Sequence, residues 1–166
     1  MAVNLSRLIR APIGEVFAYF DNPANMVHVN EHAVHYEIVD VLPDGRRTYD
    51  VTMRAGAKEW VQTIEQVVRD PHERLTTRGG SWTTDRRSWL LTVTTDRRFS
   101  TDGDGTRIDV IIDARLDRPY RRPVQAIQNW LHRGAARAEF EDQLAVIAAH
   151  IEGVAEPPRR QHGIPV

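Results

Sequence analysis

The residue types best suited to chemistry in this chain are histidines that lie close together near its start. The run His28-Val29-Asn30-Glu31-His32 spells H-x-x-E-H, a pattern that binds zinc when both histidines share one face of a helix beside a carboxylate. The run falls where a short helix gives way to a strand, and no later helix offers an obvious acidic third ligand. The sequence therefore predicts no metal site.

The same segment could move protons without a metal. A histidine near its unperturbed pKa of about 6.5 acts as a general acid or base at neutral pH. His28, His32 and His35 could take such a role at the mouth of a pocket, and for an enzyme the candidate proton-transfer groups are His28, His32 and Tyr36. The alternative is that these histidines are exposed and take no part in function, so no catalytic residue is assigned.

Aromatic side chains form a second set of candidates, because they are spread over several predicted strands and the last helix. Aromatic walls suit flat, apolar ligands, and each such side chain buries roughly 150–250 Å² when covered. Ordinary core packing is the alternative for any one of them. Together with one glutamine, the predicted ligand-binding residues are Tyr36, Tyr49, Trp60, Gln62, Trp82, Trp89, Trp130 and Phe140.

Two short helices are predicted after an initial strand. Residues 3–10 suit a strand that ends where Ala11 precedes a proline, since the residue before proline favours extended backbone. Apolar residues then recur at spacings of three and four over 13–20, which is typical of an amphipathic helix that starts at Pro12. The run D-N-P at 21–23 ends this helix, and residues 23–29 can form a second one.

Strands and turns alternate from about residue 33 to residue 116. Apolar and polar side chains alternate within each segment, and the turn sequences P-D-G at 43–45, D-P-H at 70–72 and D-G-D-G at 102–105 separate them. The turns recur at roughly the 8–12-residue intervals of an antiparallel meander. An apolar helical stripe follows over 124–151, and Gly153 lies where a helix-ending glycine is expected.

These elements predict one α+β domain over residues 1–152. A curved antiparallel sheet of about seven strands wraps around the long C-terminal helix, with two short helices after the first strand. The long helix is the only element large enough to cover the apolar face of the sheet, and the space left between them is a candidate ligand cavity. Residues 153–166 have little to bury and are predicted to be a disordered tail.

Several short motifs support this architecture by their order and spacing. They are Ile9-Arg10-Ala11-Pro12, Val16-Phe17, Asp21-Asn22-Pro23, Gly105-Thr106-Arg107-Ile108 and a terminal helix that ends over 144–151. Over roughly residues 3–152 the chain resembles the START-like, or SRPBCC, helix-grip superfamily, which includes polyketide cyclase/dehydrase and lipid-transport proteins and the plant pollen-allergen fold. The resemblance implies a cavity for a lipid, a polyketide or a similar apolar molecule, and no cofactor.

The resemblance also bears on catalysis, because aromatising cyclases of this superfamily use cavity Tyr, Arg and Asn side chains to hold and enolise the substrate. Where a strand arginine is wanted, residues 58–68 offer only Gln62 and Gln66 on one face and Glu65 on the other. That departure argues against the cyclase reaction. The pair Arg97-Arg98, like other arginine pairs interleaved with aspartates, is interpreted as part of a mixed-charge surface.

Composition narrows the classes of partner. The 166 residues include 22 basic and 23 acidic residues and no cysteine, for a formal net charge of −1. This balance argues against DNA and anionic membranes as partners, and the lack of cysteine excludes a disulfide scaffold and thiol catalysis. No run reaches the ~18 consecutive apolar residues of a membrane span. The first ten residues lack the apolar core of a signal peptide, so we expect a cytoplasmic protein.

The sequence as a whole predicts a protein that binds a hydrophobic small molecule between its sheet and its terminal helix. One alternative is a polyketide cyclase or dehydratase that uses pocket histidine or tyrosine side chains for proton transfer. A further alternative is a toxin-like interaction protein of the same fold that engages the ribosome. We expect a monomer or a homodimer, and no cofactor.

Overall fold

Ten helices and strands make up the part of the chain that the computed structural model describes, residues 2–82, 89–116 and 122–158. Their order is strand, two helices, six strands and one long helix. The bounds are β1 Ala2–Ile9, α1 Ile13–Asp21, α2 Pro23–Val29, β2 Ala33–Val41, β3 Arg47–Ala55, β4 Lys58–Asp70, β5 Arg74–Trp82, β6 Trp89–Asp102, β7 Gly105–Leu116 and α3 Arg122–Glu152.

The seven strands form one antiparallel sheet in the order β1-β7-β6-β5-β4-β3-β2. Each strand from β2 to β7 pairs with its neighbour in sequence, as in a meander, and the first strand then adds beside the last. The sheet, the two short helices after β1 and the C-terminal helix confirm the predicted α+β helix-grip architecture. No helix of the described ranges is long and apolar enough to cross a membrane.

The pairing of β1 with β7 depends on one glycine at the start of β7. Gly105 is buried, and a Cβ atom at this position would lie 2.6 Å from the carbonyl oxygen of Ile9. That distance is far below van der Waals contact, so only glycine lets the two backbones approach this closely. The neighbouring Thr106 donates from its Oγ1 to the carbonyl oxygen of Ala11 at 2.8 Å, which holds the chain as it leaves β1.

One end of the concave sheet face is filled by α1. Its residues Phe17 and Phe20 meet Phe99 of β6 edge to face, with ring centroids 5.3 and 5.8 Å apart. Ile9 of β1 and Ile108 of β7 are fully buried against this cluster. Edge-to-face aromatic pairs of this kind add about 0.5–1.5 kcal/mol beyond the area they bury. The end of the sheet beneath α1 is therefore a close-packed core.

The last residue of α1 is tied to the sheet by a buried carboxylate. Asp21 accepts hydrogen bonds from Arg69 Nη2 at 2.8 Å and from Gln66 Nε2 at 3.1 Å. Its carbonyl oxygen accepts from Arg47 Nη1 at 3.1 Å. These bonds join α1 to β3 and β4. Asp21 therefore does more than end the helix, because it fixes where α1 lies on the sheet.

The C-terminal half of α3 packs on the sheet next to β1. Val146, Ile147 and Ala148 are each 2% exposed. The helix ends at Glu152, whose Oε1 accepts the backbone N–H of Arg10 at 2.8 Å. Gly153 follows with a φ of 66°, the left-handed conformation that glycine supplies most easily after a helix. The disordered tail over 153–166 stays a prediction, and residues 159–166 lie outside the described part of the chain.

Candidate functional site

A cavity of about 520 Å³ lies between α3 and the concave face of the sheet. Its walls are formed by the strands β1 and β3 to β7, by the helices α1 and α3, and by the segment before β2. Most of the wall is apolar. The apolar side chains that line it are Leu5, Phe20, Met53, Ile64, Val93, Val110, Ile112, Phe140, Leu144 and Ile147.

Small residues on β5 keep this space open. Gly79 lies in register between Ile64 of β4 and Val93 of β6, and all three line the cavity. A Cβ atom on Gly79 would lie 3.1 Å from Ile64 Cγ1, so the Ile64 side chain leaves little room for a side chain at this position. Thr77, two residues earlier on the same face, is also short. The wall of the cavity is therefore recessed at β5.

Arg97 of β6 is a charged side chain in this wall. It pairs in register with Leu75 and Val110, both buried, so it points to the concave face of the sheet. Its Nη1 donates to Thr77 Oγ1 at 3.2 Å, and its guanidinium carbon lies 5.7 Å from the centre of the Phe20 ring. Burial lowers the pKa of Arg97, and its electrostatic interactions with Tyr49 and Asp96 only partly oppose this.

Tyr49 of β3 brings a phenol to the same cavity. It is 4% exposed, and it lies in register with Ile64 of β4. Burial raises the pKa of Tyr49, and the positive charges of Arg97 and Arg47 only partly offset this. The phenol therefore stays protonated at neutral pH and is available as a hydrogen-bond donor.

The segment between α2 and β2 supplies two polar side chains, Asn30 and His32. Asn30 Oδ1 accepts the backbone N–H of His32 at 3.0 Å, and the carbonyl oxygen of His32 accepts the N–H of Arg54 at 2.7 Å. His32 Nε2 also lies 3.5 Å from Glu31 Oε1. The two backbone hydrogen bonds, to Asn30 and to Arg54, fix the position of His32 at the cavity wall.

The helix wall adds two further polar groups. Glu139 and Gln143 are one turn apart on α3, and Gln143 Nε2 lies 3.5 Å from Glu139 Oε1. Both are partly buried and line the cavity beside Phe140. The wall opposite the sheet is therefore mainly apolar with one acidic position.

The structure brings together only part of the predicted set. Tyr49, Gln62, Phe140 and His32 line the cavity. The side chains of three further predicted residues lie outside the described part of the structure, although their backbones belong to β5, β6 and α3. These are Trp82, Trp89 and Trp130.

Tyr36, Trp60 and His28 are placed elsewhere. Tyr36 and Trp60 are partly buried against a second apolar cluster around Val51 and Met53, beside the cavity and not among the residues that line it. Trp60 lies on the same face of β4 as Gln62, two residues nearer the start of the strand, and Tyr36 lies in the same register row as Gln62 but on the edge strand β2. His28 lies on α2 and is likewise absent from the lining.

Arg97 lines the cavity, although the sequence pattern did not indicate it as a candidate site residue. The assignment of Arg97-Arg98 to a mixed-charge surface is correct for the exposed Arg98 and wrong for Arg97. Strand alternation carried the signal, because Val93, Thr95 and Arg97 are two residues apart and all face the cavity. Charge alone does not distinguish the two arginines, whereas their alternate positions in β6 place them on opposite faces of the sheet.

No group of three or more histidine, aspartate or glutamate side chains that could hold a metal ion occurs among the described residues. In the H-x-x-E-H run, His28 lies on α2, which ends at Val29, and His32 lies in the turn before β2. The two histidines are therefore not successive turns of one helix, which is the geometry that the zinc motif needs.

The sequence model of the polyketide cyclase / dehydrase and lipid transport family matches residues 1–152. The chain belongs to this family. No protein among those with curated functions matches it. The family match ends at the last residue of α3, so it takes in every helix and strand described above.

Solved structures show the same fold at low sequence identity. The Ara h 8.0201 structure has a TM-score of 0.62 at 14% identity, over 92% of this chain and 95% of that one. A conserved protein from Geobacillus kaustophilus has a TM-score of 0.69 at 13% identity, over 92% and 96%. The di-domain ARO/CYC StfQ from the steffimycin biosynthetic pathway has a TM-score of 0.70 at 11% identity, over 92% of this chain and 50% of that one.

Proposed function

We propose that this protein binds a hydrophobic small molecule, a lipid, a polyketide or a similar compound, between its sheet and α3. The observation that carries the proposal is the cavity of about 520 Å³ with mainly apolar walls. Small-molecule sites in proteins typically have volumes of about 300–1,000 Å³, with apolar linings and a few polar groups that orient the ligand. The cavity matches that description in size and in lining.

The driving force would come from the apolar walls. Each Å² of apolar surface that leaves water contributes roughly 25 cal/mol, and ligand and wall both contribute. Phe140 lines the cavity from α3, and Val93 lines it from β6 of the sheet. A flat ring system held between the helix wall and the sheet wall would bury both of its faces.

Native mass spectrometry of the protein as purified tests the proposal directly, because a bound lipid or polyketide adds a discrete mass. Calorimetric titration with naphthalene-2-carboxamide, an uncharged flat probe, gives the affinity. We expect saturable binding of one molecule per chain. Val93→Phe, which fills the cavity, should weaken it at least tenfold, whereas Ile111→Phe on the exposed outer face of β7 should leave it unchanged. No binding by the unmodified protein would overturn the proposal.

A second candidate is a polyketide cyclase or dehydratase. The observation that favours it is that Asn30, Tyr49 and Arg97 line one cavity together with His32. The sequence offered no arginine in β4 for such a set, but β6 supplies one. Family membership is consistent with this chemistry as well as with binding alone.

If the protein is a cyclase, His32 removes a proton from the carbon between two carbonyls of a poly-β-ketone. The electron pair of that C–H bond moves onto the neighbouring carbonyl oxygen, where the guanidinium of Arg97 or the phenol of Tyr49 stabilises the enolate. The enolate carbon then attacks a second carbonyl carbon, and protonated His32 returns its proton to the new alkoxide. The new hydroxyl then leaves as water together with a proton from the adjacent ring carbon, and enolisation of the remaining ring ketone gives the aromatic ring.

One variant separates the two candidates. In a pure binding protein, His32→Ala leaves the affinity for naphthalene-2-carboxamide within about twofold, and no poly-β-ketone thioester is consumed by the unmodified protein. In the enzyme, the unmodified protein converts the thioester faster than its spontaneous cyclisation. His32→Ala then lowers the rate by at least about a hundredfold with binding retained.

A further inference from the structure

We propose that the cavity selects ligands that carry a carboxylate, and that Arg97 binds this group. The inference rests on the proposed function, because it names the chemical class of the ligand that the same cavity takes. It concerns binding only and holds whether or not the ligand is transformed.

Arg97 brings a positive charge into the cavity wall without a negatively charged partner among the described residues. Among the described residues, no carboxylate lies within ion-pair distance of the Arg97 guanidinium. Its one side-chain hydrogen bond to these residues is donated to Thr77 Oγ1. The other N–H donors of this guanidinium make no hydrogen bond to a described residue. Arg97 is partly buried, and withdrawing a charge from water is costly unless the charge is paired, so an anionic ligand would offset part of that cost.

Asp96, the residue before Arg97 in β6, shows that, in the described part of the chain, only the inner face of the strand lacks an ion pair at this point. Asp96 is the nearest carboxylate in sequence, but it points to the outer face, where it is engaged by Arg74 Nε and by Thr76 Oγ1, both at 2.7 Å. Arg98 also approaches it, at 3.4 Å. On the outer face of β6, Asp96 is therefore paired with arginines, whereas on the inner face Arg97 has no carboxylate partner among the described residues.

The groups around Arg97 are those that a carboxylate accepts from. Tyr49 is buried and protonated, so its hydroxyl is a donor, and the hydroxyl of Thr95 lies on the same face of β6. A guanidinium fork binds the two oxygens of a carboxylate together, and charge-assisted hydrogen bonds of this kind are roughly twice as strong as neutral ones. The ring of Phe20 lies against the guanidinium, with its centre 5.7 Å from the guanidinium carbon.

The helix wall sets the direction in which such a ligand lies. Glu139 lines the cavity from α3, so a carboxylate near that wall would meet a like charge. A ligand therefore places its acid group at Arg97 on the sheet and its apolar body against Val93, Ile112 and Phe140. An amphipathic acid fits this arrangement, and an apolar hydrocarbon without an acid leaves Arg97 unpaired.

Two probes of the same shape test the inference. Naphthalene-2-carboxylate and naphthalene-2-carboxamide differ in charge and hardly in size. By titration calorimetry of the full chain at pH 7, we expect the acid to bind at least tenfold more tightly than the amide. Arg97→Gln should remove this preference while amide binding stays within about twofold, and Arg98→Gln, one residue away on the outer face, should keep it.

The outcomes separate this inference from the proposed function. If neither probe binds the unmodified protein, the proposed function fails and the inference fails with it. If both bind equally well, or if Arg97→Gln weakens both alike, the cavity binds ligands but does not select acids. Should Arg97→Gln not fold, Arg97→Lys keeps the charge and must retain a weaker preference for the acid; equal binding of the two probes by that variant overturns the inference.

Discussion

The two ends of the concave sheet face are built from the same strands but serve different purposes. Beneath α1, Phe17, Phe99 and Ile108 fill the space between sheet and helix. Towards β5, Thr77 and Gly79 occupy equivalent inward positions and leave a cavity. Strand alternation decides which residues face inward at both ends. The size of those residues then decides whether the face becomes a core or a ligand site.

This contrast implies a division of labour. Burial in the close-packed end supplies the free energy of folding, whereas the open end leaves apolar surface and one charge uncompensated. Sites that bind ligands commonly lie in regions of lower local stability for this reason. If this division holds, substitutions in the close-packed end cost more stability than substitutions at the open end.

Ile108→Ala should cost about 2–5 kcal/mol of unfolding free energy, because Ile108 is fully buried in the close-packed end and its loss leaves a void. Thr95→Ala, on the neighbouring strand at the open end, should cost less than about 1 kcal/mol. Urea unfolding followed by circular dichroism measures both. Equal losses would show that the two ends do not differ in their contribution to stability.

Gly105→Ala should cost about 1–3 kcal/mol, since the added Cβ would meet the carbonyl oxygen of Ile9 at 2.6 Å and force β1 away from β7. Gly134→Ala on the exposed side of α3 is the matched control, because no atom lies within 4 Å of its Cβ. That variant should gain roughly 0.5–1 kcal/mol from helix propensity. A Gly105→Ala protein as stable as the original would contradict the close approach.

Asp96→Asn should destabilise the protein at neutral pH and flatten its stability profile in acid. Burial alone raises the pKa of Asp96, but hydrogen bonds from Arg74 and Thr76 and the nearby arginine charges hold it below its usual value. A carboxyl with a depressed folded pKa stabilises the fold above its unfolded pKa of about 3.9. This contribution is lost as the pH falls through the folded pKa.

Urea midpoints measured between pH 7 and pH 3 check this expectation. The unmodified protein should lose more stability over that range than Asp96→Asn does. The outer face of β6 would then owe part of its stability to a paired acid, in contrast to the unpaired Arg97 on the inner face. Parallel profiles for the two proteins would refute the depressed pKa.

Thr77→Val should change the stability least, by less than about 1 kcal/mol, because it keeps the shape of the side chain and removes one hydroxyl. That hydroxyl holds Nη1 of Arg97 at 3.2 Å. We therefore expect the affinity for naphthalene-2-carboxylate to fall about threefold to tenfold, with the affinity for the carboxamide unchanged. A large loss of stability instead would place Thr77 in the core.

The architecture could be predicted from the sequence because each element has a local signal. Pro23–Val29 forms α2 with the predicted bounds, and the turn sequences at 43–45, 70–72 and 102–105 separate strands as expected. Position along the sheet has no such signal. Trp60 and Gln62 share one face of β4, yet only Gln62 lines the cavity. Which inward-facing residue lines the cavity depends on where α3 crosses the sheet. Tertiary packing sets that crossing point, and no local pattern in the sequence encodes it.

The pairing of the first strand with the last has a consequence for how the protein reaches its native state. Val3 lies opposite Ile112, and the backbone of Arg10 bonds to Glu152, 142 residues away. Such contacts close very long loops before they gain any free energy, so the contact order is high and refolding is expected to take milliseconds to seconds. The cavity is complete only when this pairing has formed, since Leu5 of β1 is part of its wall. A molecule that binds only the complete cavity would slow unfolding more than it speeds folding.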